Sequence, residues 1–354
     1  MTGTSIDAVD AVLIESRGHG LDMTVSVLDG VSRSLESLSV TLRSLSLGEP
    51  ASASTFARAA RQLGEAHAVA IASLLEKHPS PAPCLCAVHG QTVFHEPPLT
   101  WQLLNPWPIT TAFPGAVVFD LRGSDVEAKG QGAPITPLAD WVMFRDPSRD
   151  RAVVNLGGFC NVTLLPSGDR PDRIRGFDVC ACNHIIDGAA RTALGRAFDR
   201  DGGAAQRGQP CRERIATLRP RLLTMAQAGR SLGSGDEAWD LVEAACDSLS
   251  PEDAMATAVR LVGETIGRVI REHAPHAEVV LAGGGTLNPA LVHSISEAVD
   301  GVITTEKLGV NVSHREAAAM AILGLLADDG VAITLPAVTH RRESHRIGGV
   351  WIRA

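Results

Sequence analysis

The chain has 354 residues, of which 45% are hydrophobic and 20% charged, a balance that excludes a disordered or a fibrous protein. Its length allows one large domain or two smaller ones. Its 32 basic and 40 acidic residues give a net charge of −8, which argues against nucleic acid and anionic membranes as partners. No apolar run reaches the roughly 18 residues of a membrane helix, and no signal peptide is visible. With an odd number of cysteines, seven, the sequence indicates a cytoplasmic protein.

The amino-terminal part predicts, in chain order, a β-hairpin, a helix, two short strands and a second helix. Strands are assigned to β-rich apolar runs bounded by glycine or proline, and the first helix to apolar residues at helical spacing. Proline in the first turn of a helix is well tolerated, which favours the start of the second one. The predicted elements are strands 9–14 and 23–27, helix 54–75, strands 84–88 and 117–119, and a helix from Ala133-Pro134 to about residue 144.

After a break at residues 146–150 the chain begins again with strand, glycine turn and strand. The elements predicted there are strands 152–156 and 161–165, helices 183–197, 236–249 and 252–273, strands 278–282 and 301–304, and helix 314–327. Two such beginnings, each followed by alternating helices and strands, predict an α/β protein of two similar lobes. We place lobe I at 1–146, with 335–354 as a segment that could pack back on it, and lobe II at 147–334.

Four glycine-bearing segments follow strands or open helices, at residues 3–10, 129–134, 155–161 and 282–288. Glycine lets the backbone turn tightly and lets N–H groups approach a phosphate. Any one of these loops alone is more simply a tight turn, but four in one chain favour nucleotide binding. None has the pattern of a P-loop or of a dinucleotide fingerprint, so another phosphate-binding architecture is expected.

Asp178 lies in the most informative polar segment, because it precedes a predicted helix at Asn183. A carboxylate there could act as a general base, or it could only cap a turn or the helix. Cys180 and Cys182 near His184 suggest zinc, but Cys-x-Cys is not the usual zinc spacing, and we expect no metal site. Side chains after strands often line a binding site, which makes His89, Gln91, Asp120 and Arg122 candidates, although each could serve only its own loop.

Together these segments resemble the anhydro-N-acetylmuramic acid kinases, which belong with sugar kinases, actin and the large heat-shock ATPases. The family patterns recur in order along nearly the whole chain. They are Met-Ser-Gly-Thr-Ser-x-Asp-Gly-x-Asp at 1–10, Ser-His-Gly-Gln-Thr at 88–92, Asp-Phe-Arg-x-x-Asp at 120–125, Gly-Gly-Gln-Gly-Ala-Pro at 129–134, Asn-x-Gly-Gly-x-x-Asn at 155–161, Gly-Phe-Asp-Thr-Gly-Pro-Gly-Asn at 176–183, Cys-Gly-Gly-Gly at 282–285, a Glu-Ala pair at 316–317 and Leu-Pro-x-Val-Thr at 335–339.

The resemblance implies a two-lobed actin/hexokinase-like ATPase fold with the active site in the cleft between the lobes. It also implies that ATP phosphorylates 1,6-anhydro-N-acetylmuramic acid at O6 while water opens the anhydro ring, with Mg²⁺ on the phosphates. By resemblance Asp178 activates the water. The residues expected around the nucleotide and its phosphates are Gly3, Thr4, Ser5, Ile6, Asp7, Ala8, Val9, Asp10, Gly157, Gly158, Asn161, Gly283, Gly284, Gly285 and Asn288. Those expected around the sugar are His89, Gln91, Asp120, Arg122, Asn183 and Glu316.

The chain departs from the family pattern at a few positions. The strand that precedes the first glycine loop in the family is missing before Met1, and we expect a start further upstream. Val179-Cys-Ala-Cys replaces Thr-Gly-Pro-Gly, and Lys129 and His340 each replace a glycine. Two alternatives therefore stay open, a kinase of the same fold for another sugar and a nucleotide- or sugar-binding protein without catalysis. The resemblance also leaves a homodimer open.

Overall fold

Both helices and strands contribute to each half of this α/β protein, as predicted. The computed structural model describes residues 1–3, 6–227, 232, 236, 238–342 and 348–353. The chain forms two compact units: unit 1 comprises Met1–Phe144, Pro171–Ile174 and Gly309–Ala354, and unit 2 comprises Arg145–Arg170 and Arg175–Leu308. Within the described part of the chain, no helix is long and apolar enough to cross a membrane.

Unit 1 begins with the predicted hairpin, in which β1 (Ala8–Arg17) pairs antiparallel with β2 (Thr24–Ser34). Two helices follow, α1 (Ser37–Ser46) and α2 (Ala53–Lys77), and α2 covers the predicted helix. The Ser52 hydroxyl caps α2 by accepting a hydrogen bond from the Thr55 N–H. The next elements are short: β3 (Leu85–Ala87), β4 (Gln91–Glu96), β5 (Leu99–Leu103), α3 (Trp107–Ala112), β6 (Ala116–Phe119), α4 (Gly123–Glu127) and α5 (Pro137–Phe144).

Unit 2 is built on one five-stranded sheet. Its elements are β7 (Arg151–Leu156), β8 (Phe159–Leu165), β9 (Arg175–Ala181), α6 (Asn183–Ala189), α7 (Gly203–Arg207), α8 (Arg212–Gln227), α9 (Trp239–Cys246), α10 (Pro251–His273), β10 (Glu278–Ala282), α11 (Pro289–Ser296) and β11 (Val302–Thr304). The strand order is β11-β10-β7-β8-β9. β10 is parallel to both β7 and β11, whereas β8 is antiparallel to β7 and β9. The apolar side chains of this sheet and of α10 form the core of the unit.

The carboxyl-terminal segment completes unit 1 with α12 (Arg315–Asp328), α13 (Pro336–Thr339) and β12 (Val350–Ile352). β12 pairs antiparallel with β6, which is parallel to β3. At the start of α12, the buried Arg315 donates through Nε to Oδ1 of the buried Asp140 at 2.7 Å, and through Nη2 to Oδ2. This ion pair fixes α12 against α5 inside the unit.

Three predicted helices differ from the structure by more than two residues at one end or both. The helix expected from Ala133 begins at Pro137. The helix expected over 183–197 is α6 followed by one π-helical turn, Ala190–Leu194, and it ends because Gly195 is left-handed. The helix expected over 236–249 is shorter, Trp239–Cys246. β4, β5 and β9 were not predicted, because their apolar residues are too few or too irregular to mark a strand.

Candidate active site

Two glycine loops of unit 2 lie at the same edge of the sheet. β7 and β10 are parallel neighbours, with Ala282 opposite Asn155. Gly157-Gly158 follows the first strand and Gly283–Gly285 the second, so both loops leave the sheet at the carboxyl ends of the strands. In open α/β sheets this is where ligands bind. Here the structure brings together two of the segments that were predicted separately to contact phosphate.

The two loops also pack closely. A β-carbon at Gly285 would lie 2.7 Å from Cβ of Leu156, and one at Gly158 would lie 2.6 Å from Nε2 of His184. By contrast, no heavy atom lies within 4 Å of a β-carbon built at Gly284. Gly158 and Gly285 are therefore needed for packing, whereas Gly284 faces open space and leaves room for a ligand.

The first N–H groups of α6 are occupied by the glycine turn. The N–H groups of Cys182 and His184 donate to the carbonyl of Gly158 at 2.8 and 3.3 Å, and that of Asn183 donates to Gly157 at 3.0 Å. Asn183 also donates through Nδ2 to the carbonyl of Leu156 at 3.2 Å. The amino terminus of this helix thus supports the turn, so these groups are not available to a phosphate.

Asp178 lies within strand β9 instead of capping a turn or a helix. It is paired across the sheet with Asn161 of β8, which is itself opposite Asn155 of β7. Directly opposed residues of antiparallel strands point to the same face, so three polar side chains form one row. Asp178 is half-buried, and its Oδ2 accepts a hydrogen bond of 2.6 Å from the N–H of Leu232. Asn155, the first residue of the family pattern at 155–161, belongs to this row although it was not among the expected site residues.

The three cysteines nearest to this row are buried thiols. Cys160 is opposite Cys180, and Cys182 follows at the start of α6. Burial raises the pKa of all three thiols, which keeps them protonated and unreactive. Among the residues that the structure describes, no three His, Cys, Asp or Glu side chains are grouped so that they could hold a metal ion.

The first glycine segment, in unit 1, folds back on itself before β1. The N–H of Asp10 donates to the carbonyl of Met1 at 2.9 Å, and that of Ile6 donates to Gly3 at 3.2 Å. Ile6 and Val9 are buried in the core beside α2. Asp7 is exposed at the surface, and its Oδ1 lies 3.9 Å from Nη2 of Arg43. Ala8 is the first residue of β1, and Thr4 and Ser5 lie outside the described residues.

Three predicted site residues of unit 1 interact with the amino group of Met1, and a fourth interacts with one of them. Asp10 and Glu316 both interact electrostatically with this group, and so does His89, which also interacts with Arg122. Burial lowers the pKa of His89 well below its usual value, and the Arg122 guanidinium lowers it further. His89 is therefore neutral. Residues from four distant parts of the sequence are therefore linked by electrostatic interactions, and their expected ligand contacts remain predictions.

Other predicted residues are engaged in local structure. Asp120 has a left-handed backbone, φ 50°, and its Oδ1 accepts from the Gly123 N–H at 3.1 Å. Asn288 caps α11, with Oδ1 accepting from the N–H groups of Ala290 and Leu291 at 3.1 and 3.2 Å. Gln91 is buried and donates through Nε2 to the carbonyl of Thr92 at 3.2 Å. The expected ligand contacts of these three residues remain predictions.

The model of one protein family, described as anhydro-N-acetylmuramic acid kinase, matches residues 1–353. The chain belongs to this family. It is 32% identical over 366 residues to the anhydro-N-acetylmuramic acid kinase of Salinibacter ruber, which covers 96% of this chain and 91% of that protein. It is 33% identical over 360 residues to that of Bordetella avium, and this alignment covers 99% of this chain and 94% of that protein.

Among solved structures, component A of the (R)-2-hydroxyglutaryl-CoA dehydratase of Acidaminococcus fermentans has a TM-score of 0.45 to this chain. The identity is 11%, over 88% of this chain and 96% of that one. A likeness at this level bears on neither fold nor function.

The match to the anhydro-N-acetylmuramic acid kinase family confirms the resemblance drawn from the motifs. The structure shows how this member accommodates its departures from the family pattern. Cys180 lies in β9 and Cys182 has φ −116°, so neither cysteine needs the left-handed backbone that favours glycine. Lys129 and His340 do adopt it, with φ 62° and 58°. They retain a conformation that suits the glycine of the family pattern.

Proposed function

We propose that this chain is an ATP-dependent kinase that opens 1,6-anhydro-N-acetylmuramic acid and phosphorylates it to N-acetylmuramic acid 6-phosphate. The proposal rests on one observation above all, the match of the family over residues 1–353. Within unit 2, the row of Asp178, Asn161 and Asn155 and the two glycine loops also support it. The candidate residues belong to both units.

In the proposed reaction Asp178 is the general base. It accepts a proton from a water molecule whose oxygen bonds to the anomeric carbon. The bond between that carbon and O6 breaks, O6 bonds to the γ-phosphorus of ATP, and ADP leaves. Half-burial in a strand suits this role, because a side chain held by the sheet and by the Leu232 N–H keeps a fixed position. Asn161 is opposite Asp178 in the sheet, and we assign it to the phosphate that takes part in the reaction.

The remaining roles are positioning and charge stabilisation. We assign the Gly283–Gly285 loop to the nucleotide, since Gly284 faces open space. The loops at 3–10 and 157–158 are assigned to the phosphates. Mg²⁺ bound to those phosphates would neutralise their charge, and a cation held in this way needs few protein ligands.

For the sugar, we assign Arg122 to the lactyl carboxylate, because a guanidinium matches a carboxylate in shape and charge. Glu316 suits hydroxyl groups, which donate to its oxygens. His89, which is buried and neutral, can add an uncharged hydrogen-bonding group. Together they would favour a sugar with one negative charge and several hydroxyls.

The test is phosphate transfer from ATP to 1,6-anhydro-N-acetylmuramic acid by the purified protein and by Asp178→Asn. We expect a phosphorylated, ring-opened product with the wild type and a loss of about 10²-fold or more in kcat with the variant. The matched control is Asp169→Asn, an exposed aspartate of the same unit. Full turnover by Asp178→Asn would contradict the assignment of the base.

A panel of other sugars separates the two alternatives. Turnover of another sugar alone would indicate a kinase of different specificity, to which the Cys180-Ala-Cys182 segment next to Asp178 could contribute. ATP or sugar binding by folded protein without any turnover would indicate a binding protein. A cytoplasmic location and a homodimer are part of the proposal, to be tested by cell fractionation and by the mass of the protein in solution.

A further inference from the structure

Asp125 is a buried carboxylate at the centre of three segments of unit 1. It lies in the single-turn helix α4 and is 0% exposed. Its Oδ1 accepts hydrogen bonds from the hydroxyls of Thr334 and Thr339, the latter at 2.8 Å, and its Oδ2 accepts one of 2.8 Å from the N–H of Gly132. Both threonines are buried as well. Burying a carboxylate costs free energy unless hydrogen-bond donors surround it, so these three donors stabilise Asp125 in its buried position.

The hydrogen bonds of Asp125 hold the loop at residues 129–134 in place. The Gly130 N–H donates to the backbone carbonyl of Asp125 at 2.8 Å, and a β-carbon at Gly130 would stand 2.1 Å from Oδ2. The Gln131 N–H donates to the carbonyl of Thr339 at 2.7 Å. The loop, α4 and α13 are therefore joined through one side chain and the backbone around it.

The same side chain fixes the helix that carries Arg122. Arg122 is the N-cap residue of α4, and its carbonyl accepts from the N–H groups of Asp125 and Val126 at 3.0 and 3.2 Å. A helix of five residues has little stability of its own. Its position depends on contacts with its surroundings, and Asp125 makes three side-chain hydrogen bonds to them. A displacement of α4 would displace Arg122 with it.

We propose that Asp125 is a positioning residue for the sugar site, acting by holding α4, and with it Arg122, against the loop at 129–134 and α13. The inference rests on the proposed function in one respect, the assignment of Arg122 to the sugar. It predicts that weakening the hydrogen bonds of Asp125 impairs sugar binding while ATP binding is retained.

Two kinds of variant test this. Asp125→Asn places an amide N–H₂ where only donors face it, and Thr339→Val removes one hydroxyl with little change in volume. Thr339→Ser retains the hydroxyl and serves as the rescue. Asp328→Asn, which changes an exposed aspartate paired with Arg353 in the same unit, is the matched control. We expect kcat/KM for the sugar to fall about 10- to 100-fold in the first two variants, through KM, with KM for ATP changed less than about twofold.

A double-mutant cycle with Arg122→Lys tests whether Asp125 acts through Arg122. If it does, the loss in Asp125→Asn/Arg122→Lys is smaller than the product of the two single losses. Independent, multiplicative losses would overturn the proposal, and so would an equal rise of both KM values or a sugar KM that stays at the wild-type value.

Hydrogen exchange gives a readout that needs no turnover. In Thr339→Val and Asp125→Asn the amides of residues 129–134 should exchange faster than in the wild type, while Thr339→Ser and Asp328→Asn should match it. Unchanged exchange would overturn the positioning role even if the protein were inactive. A further outcome is a wild type that shows no sugar turnover while the two variants still exchange faster than it does. That result would support the role of Asp125 in holding the loop and would contradict the proposed function instead.

Discussion

Gly283 lies directly against Asn155, so that a β-carbon at Gly283 would stand 2.7 Å from Oδ1 of that asparagine. Gly283 also has a left-handed backbone, with φ 84°. Gly283→Ala would therefore introduce both a close contact and backbone strain. We expect it to lower the free energy of unfolding by about 1–3 kcal/mol, measured by urea denaturation.

Gly284→Ala is the matched control, because nothing lies within 4 Å of a β-carbon there. Its stability should equal that of the wild type, whereas its KM for ATP should rise if the nucleotide approaches this loop. A Gly284→Ala protein with wild-type KM for ATP would contradict the assignment of the loop to the nucleotide.

Lys129 and His340 are exposed residues with left-handed backbones. A residue with a β-carbon pays roughly 1–2 kcal/mol in this conformation, and glycine does not. We expect Lys129→Gly and His340→Gly each to raise the free energy of unfolding by about 1 kcal/mol, less than the strain because glycine also makes the unfolded chain more flexible. Cys180→Gly is the contrast, since Cys180 is buried in a strand and its loss should destabilise the protein. A destabilised His340→Gly variant would show that its side chain makes a contribution larger than the strain.

The buried ion pair of Arg315 and Asp140 should dominate the stability of α12. Arg315→Met leaves a buried carboxylate without its partner, which typically costs about 3–5 kcal/mol. The double variant Arg315→Met/Asp140→Leu should recover much of this loss. As a control, Arg353→Met breaks an exposed pair with Asp328 and should change the free energy of unfolding by less than about 1 kcal/mol. Equal effects of the two single variants would contradict this reasoning.

His67 gives the stability of unit 1 a pH dependence. The residue is buried in α2 and its Nδ1 donates to the carbonyl of Leu63 at 2.8 Å. Burial lowers the pKa of His67 to about 3, whereas in the unfolded chain it is near 6.5. Between these two pH values the unfolded state binds the extra proton, so the free energy of unfolding falls as the pH falls from 6.5 toward 3. At pH 5 the loss should reach about 2 kcal/mol.

The measurement is urea denaturation at pH 7 and pH 5. His67→Gln does not titrate, so its stability should fall less than that of the wild type between the two pH values. His276→Gln, on an exposed histidine, should follow the wild type. If His67→Gln lost as much stability as the wild type, His67 would not be the neutral buried group described here.

The sequence predicted most accurately the helices and strands that consist of one continuous apolar or periodic run. β10 has the predicted limits, and α2 extends the predicted helix by one residue at its start and two at its end, because each forms one continuous apolar or periodic run. β9 was not predicted, since Gly176 and Asp178 interrupt its apolar residues and only pairing with β8 makes it a strand. The same pairing places Asp178 inside the sheet instead of in a turn. Its position thus depends on a neighbour that the local sequence does not reveal.

The site was predictable as a set of motifs but not as an arrangement. The family patterns named Asp10, His89, Arg122 and Glu316, and the structure gathers them in one unit. Asp125 and the pair of Arg315 with Asp140 were missed as structural centres. Their partners are more than 170 residues away in the sequence, or belong to a different motif, as Thr339 does. Such contacts are products of the fold, and no spacing within a motif reports them.

The path of the chain through unit 1 has a consequence for how the protein is made. β6, near the middle of the sequence, obtains its antiparallel neighbour from residues Val350–Ile352. On the ribosome, unit 2 is therefore complete in sequence while unit 1 still lacks α12 and β12. Domains tend to fold as they emerge, so the later-translated unit can reach its native state first. The first half of the chain must then wait with one edge of β6 unpaired, and an unpaired strand edge is prone to aggregation.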